Sequence, residues 1–86
     1  MKKTLTILNE TGIHARPASI IAKTTMKFSS DVFIEVRDKS INAKSIMNIL
    51  SSGMQKGDEI TISASGPDEV EAVETLVDLF NSNFGE

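Results

Sequence analysis

The apolar residues of this chain change their spacing several times, and the order of those changes restricts the folds open to it. In residues 3–8, Leu5 and Ile7 share one face and Thr4 and Thr6 the other, which is the period of a half-buried strand. After a loop, Asn9-Glu10-Thr11-Gly12, the spacing becomes helical from Ala15 to about Phe28. Ala18, Ile21, Ala22 and Met26 fall on one side, and Pro17 lies in the first turn, where its missing N–H costs nothing. Asp31 to Arg37 alternates again, with Val32, Ile34 and Val36 inward and Glu35 outward. Asp38-Lys39 then reads as a tight turn and residues 40–43 as a short return strand. Ser45 is placed to cap a short helix from Ile46 to about Ser51, closed by Gly53. Lys56-Gly57-Asp58 turns into a fourth strand, Glu59 to Ser65, with Ile60, Ile62 and Ala64 inward.

Gly66-Pro67 opens a last helix whose first turn holds Asp68, Glu69 and Glu71, acids that suit the helix dipole. Its buried stripe is expected to be Val70, Val73, Leu76, Val77, Phe80 and Phe84. The order βαββαβα predicts an α+β domain: a mostly antiparallel sheet of four strands with its helices on one face. With 86 residues and no repeat, linker or low-complexity tract, residues 1–86 form a single domain. So short a chain has a modest core and little room for a deep pocket, so its chemistry is expected at the surface.

Composition removes several functional classes. A net charge of −3 argues against a binder that works by neutralising nucleic-acid phosphates. There are no cysteines, hence no thiolate nucleophile or disulfide frame. Met1-Lys2-Lys3 looks like the basic start of a secretion signal. The apolar run behind it is interrupted by Thr4 and Thr6 and ends at Asn9-Glu10, so a cytoplasmic protein starting at Met1 is expected. No stretch approaches the ~20 apolar residues of a membrane span. There is no paired-carboxylate motif, metal-ligand cluster or Ser/His/Asp set, so neither an enzyme with its own turnover nor a cofactor or metal is expected.

The informative stretch is Thr11-Gly12-Ile13-His14-Ala15-Arg16-Pro17-Ala18. A loop ends at His14 and a helix has begun by Ala15 or Arg16, so His14 lies at or beside the N-cap. The backbone N–H groups of a helix start favour anions, and Arg16 adds a guanidinium suited to phosphate oxygens. Thr11 can add a hydroxyl, and Ala15 an N–H. Imidazole attacks phosphorus in its neutral form, and the dianion that results is what a helix N-terminus stabilises. Spacing alone leaves a second reading equally open, in which His14 is an ordinary surface or capping residue and Arg16 a solvated charge. The chain has no phosphate-binding loop of the Gly-x-x-x-x-Gly-Lys type, so any phosphoryl group must come from another protein.

Gly12-Ile13-His14-Ala15-Arg16-Pro17-Ala18-Ser19 closely resembles the active-site signature of HPr, the histidine-containing phosphocarrier family of the bacterial phosphoenolpyruvate:sugar phosphotransferase system. Asn42-Ala43-Lys44-Ser45-Ile46-Met47 resembles that family's regulatory serine region at the matching distance, and Lys56-Gly57 with Ile60 to Gly66 is similar to its last strand. The resemblance covers essentially the whole chain. It implies an open-faced β-sandwich, four antiparallel strands under three helices. It also implies that enzyme I phosphorylates His14 at Nδ1, that Arg16 steadies the phosphate, and that the group passes to the A domains of sugar-specific enzyme II permeases. A monomer is the expected state of a carrier that visits several partners.

For Ser45 the resemblance implies a target of HPr kinase/phosphorylase, and through it an effect on enzyme I docking and on a catabolite-control transcription factor. As a plain N-cap, Ser45 needs no further purpose. A phosphate there would suit the helix dipole and leave the fold intact. Ile46, Met47 and Ile49 cannot all face the core from so short a helix. With Ile20 they are expected to form an exposed apolar patch beside His14, fit for partner docking. Asn48 and Ser52 stand where many Gram-positive members have Gly and Leu, and Thr11 where Ser or Asn is common. A regulatory paralogue in the family has Gln for the active histidine, and His14 here favours the carrier. The alternatives are a corepressor acting mainly through phospho-Ser45, a carrier in a nitrogen-related or fructose-specific branch, and an unrelated small α/β binding module.

Overall fold

The computed structural model describes residues 1–85. The elements run β1 (Lys2–Thr6), α1 (Ala15–Thr25), β2 (Asp31–Val36), β3 (Lys39–Asn42), α2 (Ile46–Ser51), β4 (Glu59–Ser65) and α3 (Glu69–Asn81), with a short 3-10 turn at Asn83–Gly85. The sheet order is β1-β4-β2-β3, and every neighbouring pair is antiparallel. The last strand enters the gap between β1 and β2, so the first and final thirds of the chain are interlocked. Ile62 of β4 lies opposite both Lys3 of β1 and Ile34 of β2, and Ile34 lies opposite Ile41 of β3.

Alternation along the strands separates the two faces. Val32, Ile34, Val36, Ile41, Ile60, Ile62 and Ala64 are buried, and they meet Ala18, Ile21 and Ala22 of α1, Ile49 of α2, and Ala72, Val73, Leu76 and Phe80 of α3. The other face carries Thr4, Thr61, Phe33 and Glu35 and, among the described residues, has no helix over it, the open-faced arrangement expected. No helix among the described residues is long and apolar enough to cross a membrane.

Several expectations are corrected. Helix α1 ends at Thr25, and Met26 is its C-cap, 66% exposed rather than inward. Thr25 takes the inner position instead, with its hydroxyl donating to the carbonyl of Ile21 at 2.6 Å. Val70 is also exposed. The stripe of α3 centres on Ala72, Val73, Leu76 and Phe80, and Val70 lies roughly 100° from that centre on the helical wheel. Phe84 is buried, but not as a continuation of the helix: Asn83 and Phe84 adopt left-handed φ values of 56° and 58°, which turn the ring back against Phe80 with centroids 4.9 Å apart.

The β2–β3 turn is Arg37-Asp38, one residue earlier than expected, with φ values of 46° and 66°. Two-residue hairpins favour positive φ at both positions, which is why Asn-Gly is common there. A left-handed non-glycine residue costs ~1 kcal/mol or more. At the other end of the molecule the carboxylate of Asp68, the N-cap of α3, accepts the amides of Ser29 and Ser30, both at 2.9 Å, and the Ser30 hydroxyl at 2.5 Å. The Ser30 hydroxyl and then the Ser29 amide hold that carboxyl below its ordinary value.

Candidate functional site

The loop from Asn9 to His14 is fixed mainly by the main chain. The amide of Gly12 donates to Asn9 at 3.1 Å, and the buried Asn9 side chain donates back to the Gly12 carbonyl. The amide of Ile13 donates to the carbonyl of Met54 at 3.0 Å. Gly12 is required twice over. Its φ is 66°, and a Cβ there would lie 2.8 Å from the Met54 oxygen and 3.1 Å from the Gln55 Cα, both backbone atoms that cannot swing away. Ile13 points into the core and His14 points out.

His14 is the N-cap of α1, with extended backbone (φ −97°, ψ −165°) and no side-chain capping bond. Its carbonyl accepts the amide of Ala18 at 3.0 Å, closing the first turn. Pro17 contributes no N–H, so the amides this turn presents are those of Ala15 and Arg16. No acid occupies the first turn of α1, and the positive end of its dipole suits an anion. Arg16 and Thr11 are exposed. The arrangement therefore joins an accessible nucleophile, the main-chain donors of a helix start and a guanidinium two residues on.

Ser45 caps α2. Its hydroxyl accepts the amide of Asn48 at 3.2 Å, and its carbonyl accepts that of Ile49 at 3.1 Å. Helix α2 packs against α1 and presents Ile46 and Met47 outward, Met47 being 76% exposed. Ile20 is half-buried at the edge of the core. Ile49 must be removed from the expected patch: it is fully buried, the one side chain that anchors α2 inward. Leu50 takes its place on the outside. The signal was available, since Leu50 lies four residues after Ile46 and three after Met47, on the same helical face.

Spacing did not reveal the platform beneath the loop. Ser52 is buried, its hydroxyl donating to Ile49 at 2.6 Å and accepting the Met54 amide at 3.4 Å. Asp58 accepts the amide of Gln55 at 2.8 Å and pairs with Arg37, and these two contacts, the amide first, hold its carboxyl below the ordinary value. Lys56 reaches Glu10 across the surface at 2.6 Å.

The family model for the phosphotransferase-system HPr component phosphorylation site matches residues 1–82. The chain belongs to the HPr family. Solved HPr structures agree over nearly the full length. The C-His form of HPr from Thermoanaerobacter tengcongensis is 49% identical, with a TM-score of 0.96 over 100% of this chain and 97% of that one. A Mycoplasma histidine-containing phosphocarrier protein is 38% identical, with a TM-score of 0.92 over 98% of this chain and 97% of that one. Crh, the Bacillus subtilis catabolite repression HPr, crystallised as a swapped, intertwined dimer, is 39% identical with a TM-score of 0.75 over 93% of this chain and 91% of that one. HPr is a family of phosphocarrier proteins of the phosphotransferase system, and the βαββαβα sheet-and-helix order described above is its fold.

Proposed function

We propose that this HPr carries phosphoryl groups, accepting one on His14 from phospho-enzyme I and passing it to the A domains of sugar-specific enzyme II permeases. The observation that supports this most is that His14 is exposed at the N-cap of α1 while its side chain makes no capping bond. The Nδ1 lone pair attacks phosphorus, the N–P bond forms as the bond from phosphorus to enzyme I breaks, and the proton stays on Nε2. The new dianion then lies beside the amides of Ala15 and Arg16 and the Arg16 guanidinium. Thr11 is within the same loop and adds a hydroxyl. Transfer to an enzyme II A domain runs the same steps in reverse, so the protein is an intermediate without turnover of its own.

The exposed side chains Ile46, Met47 and Leu50, with Ile20 at their edge, form the docking face in this proposal. The carrier works in the cytoplasm as a monomer. The swapped dimer of Crh makes that state a point to measure, by sedimentation at the concentrations of the transfer assay.

Intact mass after incubation with phosphoenolpyruvate and enzyme I from the same organism tests the proposal. An acid-labile gain of one phosphoryl group is expected in the wild type and none in His14→Ala. A gain in both, or in neither, overturns it.

A second, regulatory reading has its own support in the Ser45 cap and in the likeness to Crh. Here HPr kinase/phosphorylase modifies Ser45, the product docks less well on enzyme I, and it binds a catabolite-control transcription factor. Transfer from enzyme I to Ser45→Asp at the wild-type rate would refute the first effect.

A further inference from the structure

Arg37 occupies a backbone position that does not suit it, since a two-residue turn with positive φ at both places is better served by asparagine and glycine. Its side chain has a definite task there. Nη2 donates to the carbonyls of Ser52 at 2.8 Å and Gly53 at 3.0 Å, which follow the last turn of α2. Nη1 donates to Oδ2 of Asp58, the same oxygen that accepts the Gln55 amide. The Asp58 amide returns a bond to the Gln55 carbonyl at 3.0 Å. A planar guanidinium holds three acceptors at fixed angles, which a lysine ammonium cannot reproduce.

The opposite side of this segment carries the acceptor loop. Met54, next to Gly53, receives the Ile13 amide, and the Met54–Gln55 backbone packs against Gly12. The main-chain carbonyl of Asp58 accepts the amide of Ile7, and the amide of Gly57 donates to the Ile7 carbonyl, each at 2.9 Å. One guanidinium thus grips the carbonyls at 52 and 53 while the carbonyl at 54 fixes the residue before His14.

We propose that Arg37 is a positioning residue for phosphoryl transfer, setting the place of His14 through Asp58 and the backbone of residues 52–55. The inference rests on the acceptor role of His14 proposed above. Without the fork, the carbonyls of Ser52 and Gly53 turn to water, residues 53–55 gain freedom, and the Ile13 bond loosens with them. An acceptor displaced by an ångström can lose ~100-fold in rate, and a loosened one less.

Arg37→Gly tests this well, because glycine suits the left-handed turn while the fork is lost. Asp58→Asn breaks the ion pair and keeps the volume, and it decides the matter if the first variant folds poorly. In either variant the Ile13 amide is expected to exchange about tenfold faster at a temperature where the protein stays folded. Single-turnover transfer from saturating phospho-enzyme I is expected to slow about fivefold, with KM held within about twofold. Arg37→Lys is expected to restore part of the rate. Folded variants with wild-type Ile13 protection and wild-type rate overturn the inference alone. A wild type that takes no phosphoryl group overturns the carrier proposal and this inference with it.

Discussion

Replacing Gly12 with alanine tests how tightly the loop before His14 is built. Two costs add. An alanine held at a left-handed φ costs ~1–2 kcal/mol, partly offset by ~0.4–1 kcal/mol from the stiffer unfolded chain. The new Cβ would also meet the Met54 oxygen at 2.8 Å, so the Ile13–Met54 hydrogen bond must stretch or break. Losing a buried main-chain bond costs ~1–2 kcal/mol. The net is a loss of about 2 kcal/mol, or a fall in Tm of roughly 8–16 °C for a domain of this size. Gly57→Ala is the control: its φ is also positive, at 91°, but a Cβ there meets nothing within 4 Å. It should carry the conformational cost alone, about 1 kcal/mol less damaging. Urea unfolding followed by circular dichroism measures both. Equal losses in the two variants, or a Gly12→Ala protein within about 0.5 kcal/mol of wild type, would refute the claim that the Met54–Gln55 backbone is a rigid wall.

Other expectations follow from the same geometry. Ser45→Ala should lose ~1 kcal/mol with the cap, whereas Ser45→Asp should keep it, as read by urea midpoints. Met47→Asp should weaken transfer from enzyme I with little effect on stability, while Ile49→Ala should cost ~2–4 kcal/mol, because one side chain faces out and the other fills the core. Acid should unfold the protein partly through Asp68, whose folded-state carboxyl titrates below its ordinary value of 3.8. Its stabilisation is complete above the unfolded value and disappears as pH falls through the lower, folded one. Urea midpoints measured down to about pH 2.5 should therefore drop less steeply in Asp68→Asn than in wild type.

The order of elements was legible because period two and helical period alternate cleanly, and Pro17, Ser45 and Gly53 punctuate them at positions with local physical meaning. The errors have a common origin in what a stripe cannot show. Met26 and Val70 match the helical spacing but lie at a helix end and at a stripe's flank, where the partner surface, not the period, decides burial. Ile49 reads in sequence with its exposed neighbours because a six-residue helix has too few residues to define a face. Of the proposed site, the placement of His14 was legible, since Pro17 sets the helix start and the structure has His14 as the N-cap of α1. The platform at residues 52–58 was not, because its contacts are main-chain carbonyls and amides, which carry no residue-type signature. Arg37 reads in sequence as one more surface charge, and only its partners reveal that it grips a backbone.

Helix α2 buries a single side chain and is six residues long, far below the length at which a helix is stable alone. Its shape is therefore borrowed, pinned at one end by Ser45 and at the other by the Arg37 fork. Between those pins the surface of Ile46, Met47 and Leu50 can be reshaped at small cost. The imidazole of His14, by contrast, stands at the N-cap of the longer helix α1, behind a loop tied to the Met54 carbonyl through the Ile13 amide. In the carrier proposed above, this arrangement sets a compliant skin next to a braced acceptor. On that proposal, partners with unlike surfaces would each mould the first while meeting the second in one unchanged geometry.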